Sequence, residues 1–230
     1  MRGIVYIHVP KCGGSSFGAA LRLRFAFSQA TIPLNLGDPA LTGESRILSD
    51  YAARDAHLAR LIARQTRCIA GHVRYNPALH ARSRHDFVTL LRDPAERFLS
   101  HYRYLQRRHP DPARAQTLAA FLDTADARRL ASQYLFHFAG HSLTTCPDLS
   151  HALATARANL ARFALIGDLA RPRAFAQALR RFTGVPLPIL HRNRAPVPLQ
   201  MPPDLRRKID ALTAADRVLY DAARALPQAA

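Results

Sequence analysis

Short runs of apolar, often β-branched residues alternate along the chain with stretches whose apolar positions recur every three to four residues. The short runs predict buried strands at 4–8, 68–73, 87–91 and 163–167. The longer stretches predict helices at 15–27, 52–66, 115–123, 126–138, 151–163 and 172–183, and from 94 and 213 onward. Strands that alternate with helices are typical of an α/β protein with a parallel sheet flanked by helices. We therefore expect one domain of this class over residues 1–230.

Punctuating residues mark the ends of several predicted elements. Asp93, Pro94 and Glu96 match the N-cap, first-turn and capping-box preferences of a helix start. Ser150 is the expected cap of the helix 151–163, while Gly140 and Gly184 are expected to stop helices. Scattered polar residues predict a loop over 30–50, and six prolines make 185–203 extended or looped.

The charge of the chain is far from balanced. It contains 33 Lys and Arg against 16 Asp and Glu, a formal net charge of +17. Such a surplus favours anionic partners, although an Arg- and Ala-rich composition bias is the competing explanation. The three cysteines have no metal-ligand or disulfide spacing, which favours a reduced, cytoplasmic protein without a bound metal. Neither a signal peptide nor a membrane-spanning run is expected.

The segment YIHVPKCGGSS predicts an anion-binding loop between a strand and a helix. Free N–H groups at the start of a helix attract anions, and glycines let the backbone approach them closely. Gly13 and Gly14 supply that access, Ser15 and Ser16 add hydroxyl groups, and Lys11 adds a positive charge. The order of residues fits neither a Walker loop nor a Rossmann fingerprint. A plain glycine-rich turn with a solvated lysine is the alternative.

A second strand–turn–helix unit, LLRDPAERFLSHYRYL at 90–105, repeats this design. Arg92 ends the predicted strand, and Ser100 lies two helical turns beyond the Asp93 cap. Taken alone, the unit could be ordinary helix-start chemistry. Two such loops in one small α/β domain instead predict a ligand that carries phosphate groups at two separate points.

These segments resemble the donor-binding motifs of sulfotransferases that use 3′-phosphoadenosine 5′-phosphosulfate (PAPS). HVPKCGGSS is similar to their 5′-phosphosulfate loop and LLRDPAERFLSHYRYL to their 3′-phosphate motif. Within this family, the segments resemble the heparan sulfate and uronyl 2-O-sulfotransferases and their bacterial homologues. It covers about residues 4–225 and also includes these segments: GHVRY (71–75), FHFAGHS (136–142), ARANLARFALIGDL (156–169) and HRNRAP (191–196). The resemblance implies a P-loop-like nucleotide-binding fold.

The resemblance also implies roles for individual residues, with PAPS as the co-substrate and no metal. Lys11 would stabilise the charge of the departing phosphate, and His72 would be the general base. The residues that would bind the donor are Lys11, Cys12, Gly13, Gly14, Ser15, Ser16, Arg92, Ser100, Arg192, Asn193 and Arg194. Arg192–Arg194 belong to the loop that would cover the adenosine.

A histidine is a suitable base on general grounds as well. A neutral imidazole can remove the proton of an acceptor hydroxyl near neutral pH, and His72 follows a predicted strand beside both anion loops. His101 and His141 are the rival candidates, whereas His8 is expected to be structural.

The sequence therefore predicts an O-sulfotransferase whose acceptor is a carbohydrate hydroxyl. An anionic polysaccharide would use the surplus positive charge. The chain has Cys12 where the family commonly has threonine, and Ala70 where uronyl-type relatives have a second histidine. The second difference leaves the acceptor open, and the oligomeric state is open as well. The alternatives are a basic nucleic-acid-binding module, although no reader motif is present, and a P-loop-like nucleotide kinase.

Overall fold

The protein, represented by a computed structural model, is described over residues 2–13, 17–18, 20–21, 25, 27–108, 117–184 and 201–226. Five strands form one sheet within these residues, and every pair of neighbours is parallel. The strands are β1 (Gly3–Ile7), β2 (Gln29–Thr31), β3 (Cys68–Gly71), β4 (His85–Leu91) and β5 (Leu165–Asp168). Their order across the sheet is β2-β3-β1-β4-β5. The predicted α/β class with a parallel sheet flanked by helices is confirmed.

Ten helices have bounds that lie wholly within the described residues. They are α1 (Gly43–Ala63), α2 (Pro77–Ala81), α3 (Pro94–Arg108), α4 (Leu118–Leu122), α5 (Ala125–Ala131), α6 (Gln133–Ala139), α7 (Leu149–Leu160), α8 (Pro172–Thr183), α9 (Pro203–Leu212) and α10 (Ala214–Ala225). Residues 17, 18, 20 and 21 are also helical and lie within the predicted helix 15–27.

Both faces of the sheet are buried, which explains why its strands are apolar rather than alternating. Val5 and Ile7 of β1 face one core, which α1, α6, α7 and α10 cover. Ile4 and Tyr6 face the opposite core, which the helical residues after β1 and α8 cover. Successive side chains of a strand point to opposite faces, so a single apolar strand supplies both cores.

Several element boundaries differ from those expected. The segment 30–50 is not wholly a loop, because β2 extends into it and α1 begins at Gly43 rather than near residue 52. The helix expected over 126–138 is interrupted at Ser132, whose ψ of 38° leaves the helical range. α7 is capped by Asp148, which accepts a hydrogen bond from the His151 N–H at 3.0 Å, and not by Ser150.

A buried ion pair joins three of the helices. Arg97 of α3 lies 3.8 Å from Asp216 of α10, and both side chains are fully buried. Asp216 also accepts hydrogen bonds from the backbone N–H groups of Tyr134 at 2.9 Å and Leu135 at 3.1 Å. These N–H groups lie in the first turn of α6 and have no partner within the helix. The carboxylate of a residue far along the chain therefore caps α6.

Asp216→Ala is therefore expected to lower the free energy of unfolding by about 3–5 kcal/mol, since it leaves a buried guanidinium without its counter-charge. Urea denaturation measures the loss. Asp221 of the same helix is a matched control, because its exposed carboxylate only approaches Arg217 at 4.0 Å. Asp221→Ala should cost no more than about 1 kcal/mol. Similar losses in the two variants would contradict this account of the buried pair.

Candidate active site

The carboxyl ends of the three central strands meet at one edge of the sheet. β1 lies between β3 and β4, and the chain beyond these strands carries Lys11, His72 and Arg92 respectively. The His8 N–H donates to the Gly71 carbonyl at 2.9 Å, and the Thr89 hydroxyl donates to the Ile7 carbonyl at 2.9 Å. These bonds hold the strand ends side by side. The structure thus brings three of the predicted site residues to one edge of the sheet, the place where α/β proteins commonly have a ligand-binding crevice.

The loop after β1 has an unusual backbone. Lys11 and Gly13 both have left-handed conformations, with φ of 68° and 76°. This conformation is unfavourable for a lysine, and such strain is commonly found at functional sites. A Cβ on Gly13 would lie 2.7 Å from Leu169 Cδ1, a side-chain end that could shift, so the position needs glycine mainly for its φ. The predicted donor-binding residues Gly14, Ser15 and Ser16 lie outside the described residues, as do Arg192, Asn193 and Arg194.

The Lys11 ammonium lies among other positive charges. Its Nζ is 4.3 Å from the centre of the Tyr104 ring on α3, a cation–π contact. Partial burial lowers the pKa of Lys11, and the nearby Arg107 and Arg92 guanidinium groups lower it further. Like charges gathered in a partly buried position repel one another. A bound anion would relieve that repulsion, so this part of the site is suited to a phosphate or sulfate group.

Cys12 faces the interior and not the crevice. Its side chain is fully buried, and burial raises the pKa of the thiol to about 11, so the group stays protonated. Its Sγ lies 3.6 Å from the Tyr134 hydroxyl, and its backbone N–H donates to the Val9 carbonyl at 3.3 Å. A role for Cys12 in binding the donor stays a prediction.

Arg92 ends β4 with its side chain largely buried. Its Nε donates to Glu96 Oε2 at 3.2 Å, and its backbone N–H donates to the Tyr134 hydroxyl at 2.9 Å. Asp93 accepts from the Glu96 N–H at 3.0 Å, as an N-cap should. In a complete capping box, the Glu96 carboxylate would accept from the Asp93 N–H. It pairs with Arg92 instead. Ser100 lies half-buried on α3, two turns beyond Asp93.

His72 is held in one tautomer. Its Nδ1 lies 2.6 Å from the His8 carbonyl oxygen, which can only accept, so Nδ1 carries the proton and Nε2 is free to accept one. The pKa of His72 is lowered to about 4: burial is the main cause, the bond to His8 opposes the shift, and the Arg54 guanidinium adds to it. The ring stacks on His8 with centroids 4.3 Å apart. A neutral, oriented imidazole is what a general base requires.

His101 is the nearer of the two rival bases. Its pKa is lowered to about 3, mainly by burial and further by the charges of Arg97, Lys11 and His72. Its Nδ1 is buried and has no hydrogen-bond partner among the described residues. His141 follows the end of α6, beside Ser142. His8 serves His72 through its ring and its carbonyl, so its expected structural role fits the geometry.

A cleft of about 240 Å³ runs along the edge strand β5, between α8 and α10. Leu91, the residue before Arg92, lines one end, and Phe175 and Tyr220 line its apolar walls. Arg171, Arg181 and Arg224 also line it. In the part of the chain that the structure describes, no group of three or more His, Cys, Asp or Glu side chains could hold a metal ion. The same residues include no helix long and apolar enough to cross a bilayer.

The sequence profile of the sulfotransferase family matches residues 2–221. The chain belongs to the sulfotransferase family. Its fold is similar to that of a sulfotransferase from Alicyclobacillus acidocaldarius, with a TM-score of 0.53 and 18% identity, over 97% of this chain and 96% of that one. Mouse sulfotransferase SULT7A1, solved in complex with PAP, matches with a TM-score of 0.44 and 14% identity, over 91% of this chain and 63% of that one. No curated protein matches the sequence.

The candidate site of this sulfotransferase includes residues that the sequence did not reveal. Tyr104 could have been found, since it lies on the helix that carries Ser100 and one turn beyond it. Tyr134 and Arg54 could not, because they approach Arg92 and His72 only through the tertiary fold. The Arg54 guanidinium pairs with Asp50 and its Nη1 lies 3.4 Å from the His72 carbonyl, which gives the histidine its positive neighbour.

Proposed function

We propose that this sulfotransferase uses PAPS as its donor and transfers the sulfuryl group to a hydroxyl of a carbohydrate acceptor. The observation that carries the proposal is the placement of Lys11, His72 and Arg92 after three adjacent parallel strands. Two of these residues are cations that can each bind a phosphate, and the third is a neutral base. A donor with phosphates at its 5′ and 3′ positions matches the two cations.

In the proposed reaction, His72 Nε2 takes the proton of the acceptor hydroxyl as its oxygen attacks the sulfur. The new S–O bond forms while the bond between sulfur and the bridging oxygen of the phosphosulfate breaks. The electron pair of that bond goes to the 5′-phosphate of adenosine 3′,5′-bisphosphate, where the Lys11 ammonium stabilises the charge. Positioning and charge neutralisation supply most of the catalysis in transfers of this kind.

Arg92 holds the 3′-phosphate in this proposal, together with Ser100. Its guanidinium already pairs with the exposed carboxylate of Glu96, so a phosphate must compete with or join that pair. A phosphate carries more charge than a carboxylate and accepts two parallel hydrogen bonds from a guanidinium. The cleft beside Leu91 is lined by Arg181, by two further arginines that pair with Asp168, and by two aromatic rings, and it offers room for the rest of a nucleotide.

The acceptor proposal rests on the charge of the chain. One nucleotide uses only a few of the positive charges that make up the surplus of +17. An anionic polysaccharide would be attracted by the remainder at long range. A cytoplasmic location is also proposed, and it is supported by Cys12 and Cys146, which are free cysteines.

Adenosine 3′,5′-bisphosphate is expected to stabilise the protein strongly, and ATP or ADP much less. At about 100 times its dissociation constant, a ligand adds roughly 2.7 kcal/mol to the free energy of unfolding. For a chain of this size the increase corresponds to a rise in Tm of roughly 5–10 °C. Thermal shift measurements with these three nucleotides provide the comparison.

ADP is the matched control ligand, because it carries two phosphates but none at the 3′ position. Equal shifts with ADP and the bisphosphate would remove PAPS from the proposal. A larger shift with ATP would favour the kinase alternative, and a larger shift with an oligonucleotide would favour the nucleic-acid-binding alternative.

A further inference from the structure

Tyr134 occupies a rigid position behind the crevice. It is the second residue of α6, and its side chain is fully buried. The Asp216 carboxylate fixes the first turn of α6 through the N–H groups of Tyr134 and Leu135. The Arg97 guanidinium lies 5.7 Å from the centre of the Tyr134 ring and pairs with Asp216 at 3.8 Å. The ring therefore has little freedom to move.

The hydroxyl of Tyr134 contacts both predicted phosphate loops. It accepts a hydrogen bond from the Arg92 N–H at 2.9 Å and donates one to the Arg92 carbonyl. It also lies 3.6 Å from Cys12 Sγ, in the loop that follows β1. Arg92 and Cys12 are 80 positions apart in the sequence, so one phenol oxygen links two distant segments.

The direction of each bond can be assigned. A phenol has one hydrogen, and the Arg92 carbonyl can only accept, so the Tyr134 hydrogen points to that carbonyl. Cys12 must then donate its S–H to the Tyr134 oxygen. The thiol has a hydrogen to give, because burial raises its pKa to about 11. The three bonds are thus compatible with one another.

The linked residues are those that set the distance between the two anion sites. Lys11 precedes Cys12 directly, and Arg92 is itself bonded through both its N–H and its carbonyl. A ligand with two phosphates gains from binding at two points only when the second site is held at the matching distance. A fixed spacing would favour such a ligand over nucleotides with a single phosphate.

We propose that Tyr134 is a positioning residue that holds the Lys11 loop and Arg92 at the spacing of the two phosphates of the donor. This inference rests on the proposed function. In this inference, a buried hydroxyl that would not contact the ligand makes the protein select a 3′,5′-bisphosphorylated nucleotide.

Tyr134→Phe removes only this hydroxyl and tests the inference by calorimetric titration. We expect the variant to bind adenosine 3′,5′-bisphosphate about tenfold more weakly, because the second phosphate loses effective concentration. Adenosine 5′-phosphate and adenosine 3′-phosphate each engage one site, so their affinities should change by less than about twofold. A general loss of structure would weaken all three ligands alike.

Tyr75→Phe is the matched control. Its hydroxyl is 2.7 Å from His80 Nδ1, and its ring packs against Phe163 near the amino end of β5, away from the crevice. We expect its three affinities to equal those of the wild type. Cys12→Ala removes the thiol link alone and should weaken only the bisphosphate, by a smaller factor. This second variant keeps the test available should Tyr134→Phe fail to fold.

The outcomes separate the two proposals. A wild-type protein that binds the bisphosphate no more tightly than a monophosphate would overturn the proposed function and this inference with it. A wild-type preference that survives in Tyr134→Phe, or a variant that loses affinity equally for all three nucleotides, would overturn the inference alone.

Discussion

His72→Ala is expected to lower the turnover number by about 10²–10⁴-fold, the usual contribution of a general base. Donor affinity should stay nearly unchanged, because the acceptor approaches the sulfur from the side opposite to the nucleotide. The measurement requires an acceptor, which is found by screening uronic-acid polysaccharides, neutral glycans and glycolipids with labelled donor. Retained binding of adenosine 3′,5′-bisphosphate and an unchanged circular dichroism spectrum exclude a folding defect.

The pH dependence of the wild type gives a second test of the same assignment. Because burial lowers the pKa of His72 to about 4, the imidazole is neutral at pH 7 and the acid limb of kcat/KM should lie near pH 4, well below 6.5. The negative charge of a bound donor favours the imidazolium, so the limb should move upward at saturating donor. In His72→Ala, the residual activity should show no such limb.

Protein stability must be followed alongside this profile. Burial lowers the pKa of His72 to about 4 and the pKa values of His101 and His137 to about 3. Below about pH 6.5 the unfolded chain binds protons that the folded chain refuses, so stability falls as the pH falls. A loss of ellipticity that coincides with the acid limb would remove the limb as evidence for a base.

Variants of the two rival histidines, His101 and His141, test whether His72 is the base. His101→Ala and His141→Ala are expected to retain most of the turnover. If either is inactive while His72→Ala is active, the base has been misassigned and the crevice operates with another imidazole. The membership of the family would be unaffected.

Lys11→Ala is expected to lower the turnover number by about 10²–10³-fold, the loss typical of removing one group that stabilises transition-state charge. Binding of the intact donor, PAPS, should weaken by less than about threefold, since the interaction strengthens only as the bridging bond breaks. Single-turnover kinetics with saturating donor measures the effect.

Arg92→Ala is the matched contrast, because it removes a cation from the neighbouring strand end. Its effect should fall on the donor KM, which we expect to rise by about 10–100-fold with the loss of charge-assisted bonds to a phosphate. A turnover defect in Arg92→Ala combined with a binding defect in Lys11→Ala would show that the roles of the two loops are reversed.

The sequence predicted the strands that pack against both cores, because such a strand is apolar along its whole length. The strands that became β1, β3, β4 and β5 have continuous apolar residues, and their predicted positions are within a few residues of those observed. β2 was missed because its three residues, Gln29–Thr31, lie at the sheet edge and show no apolar pattern. The break at Ser132 was missed because the apolar period continues across it.

The placement of the candidate site residues could be predicted to the extent that it depends on strand ends. Lys11, His72 and Arg92 each follow a strand, and parallel pairing of neighbours alone brings such positions together. The contacts that these three residues make with other side chains could not be predicted in this way. Arg54 beside His72 and Tyr134 behind Arg92 arrive from helices whose docking depends on side-chain packing, and no local spacing encodes that packing.

β1 lies at the centre of this edge of the sheet, between a half that carries Lys11 and Arg92 and a half that carries His72. In the proposed function, the β1–β4 half recognises the nucleotide, while the β3 half, with β2 beyond it, receives the molecule to be sulfated. Substitutions on the β2–β3 side can accumulate without disturbing recognition of the donor. Relatives could therefore diverge in what they sulfate while keeping a common nucleotide, and exchanging the β2–β3 half between them should transplant acceptor choice alone.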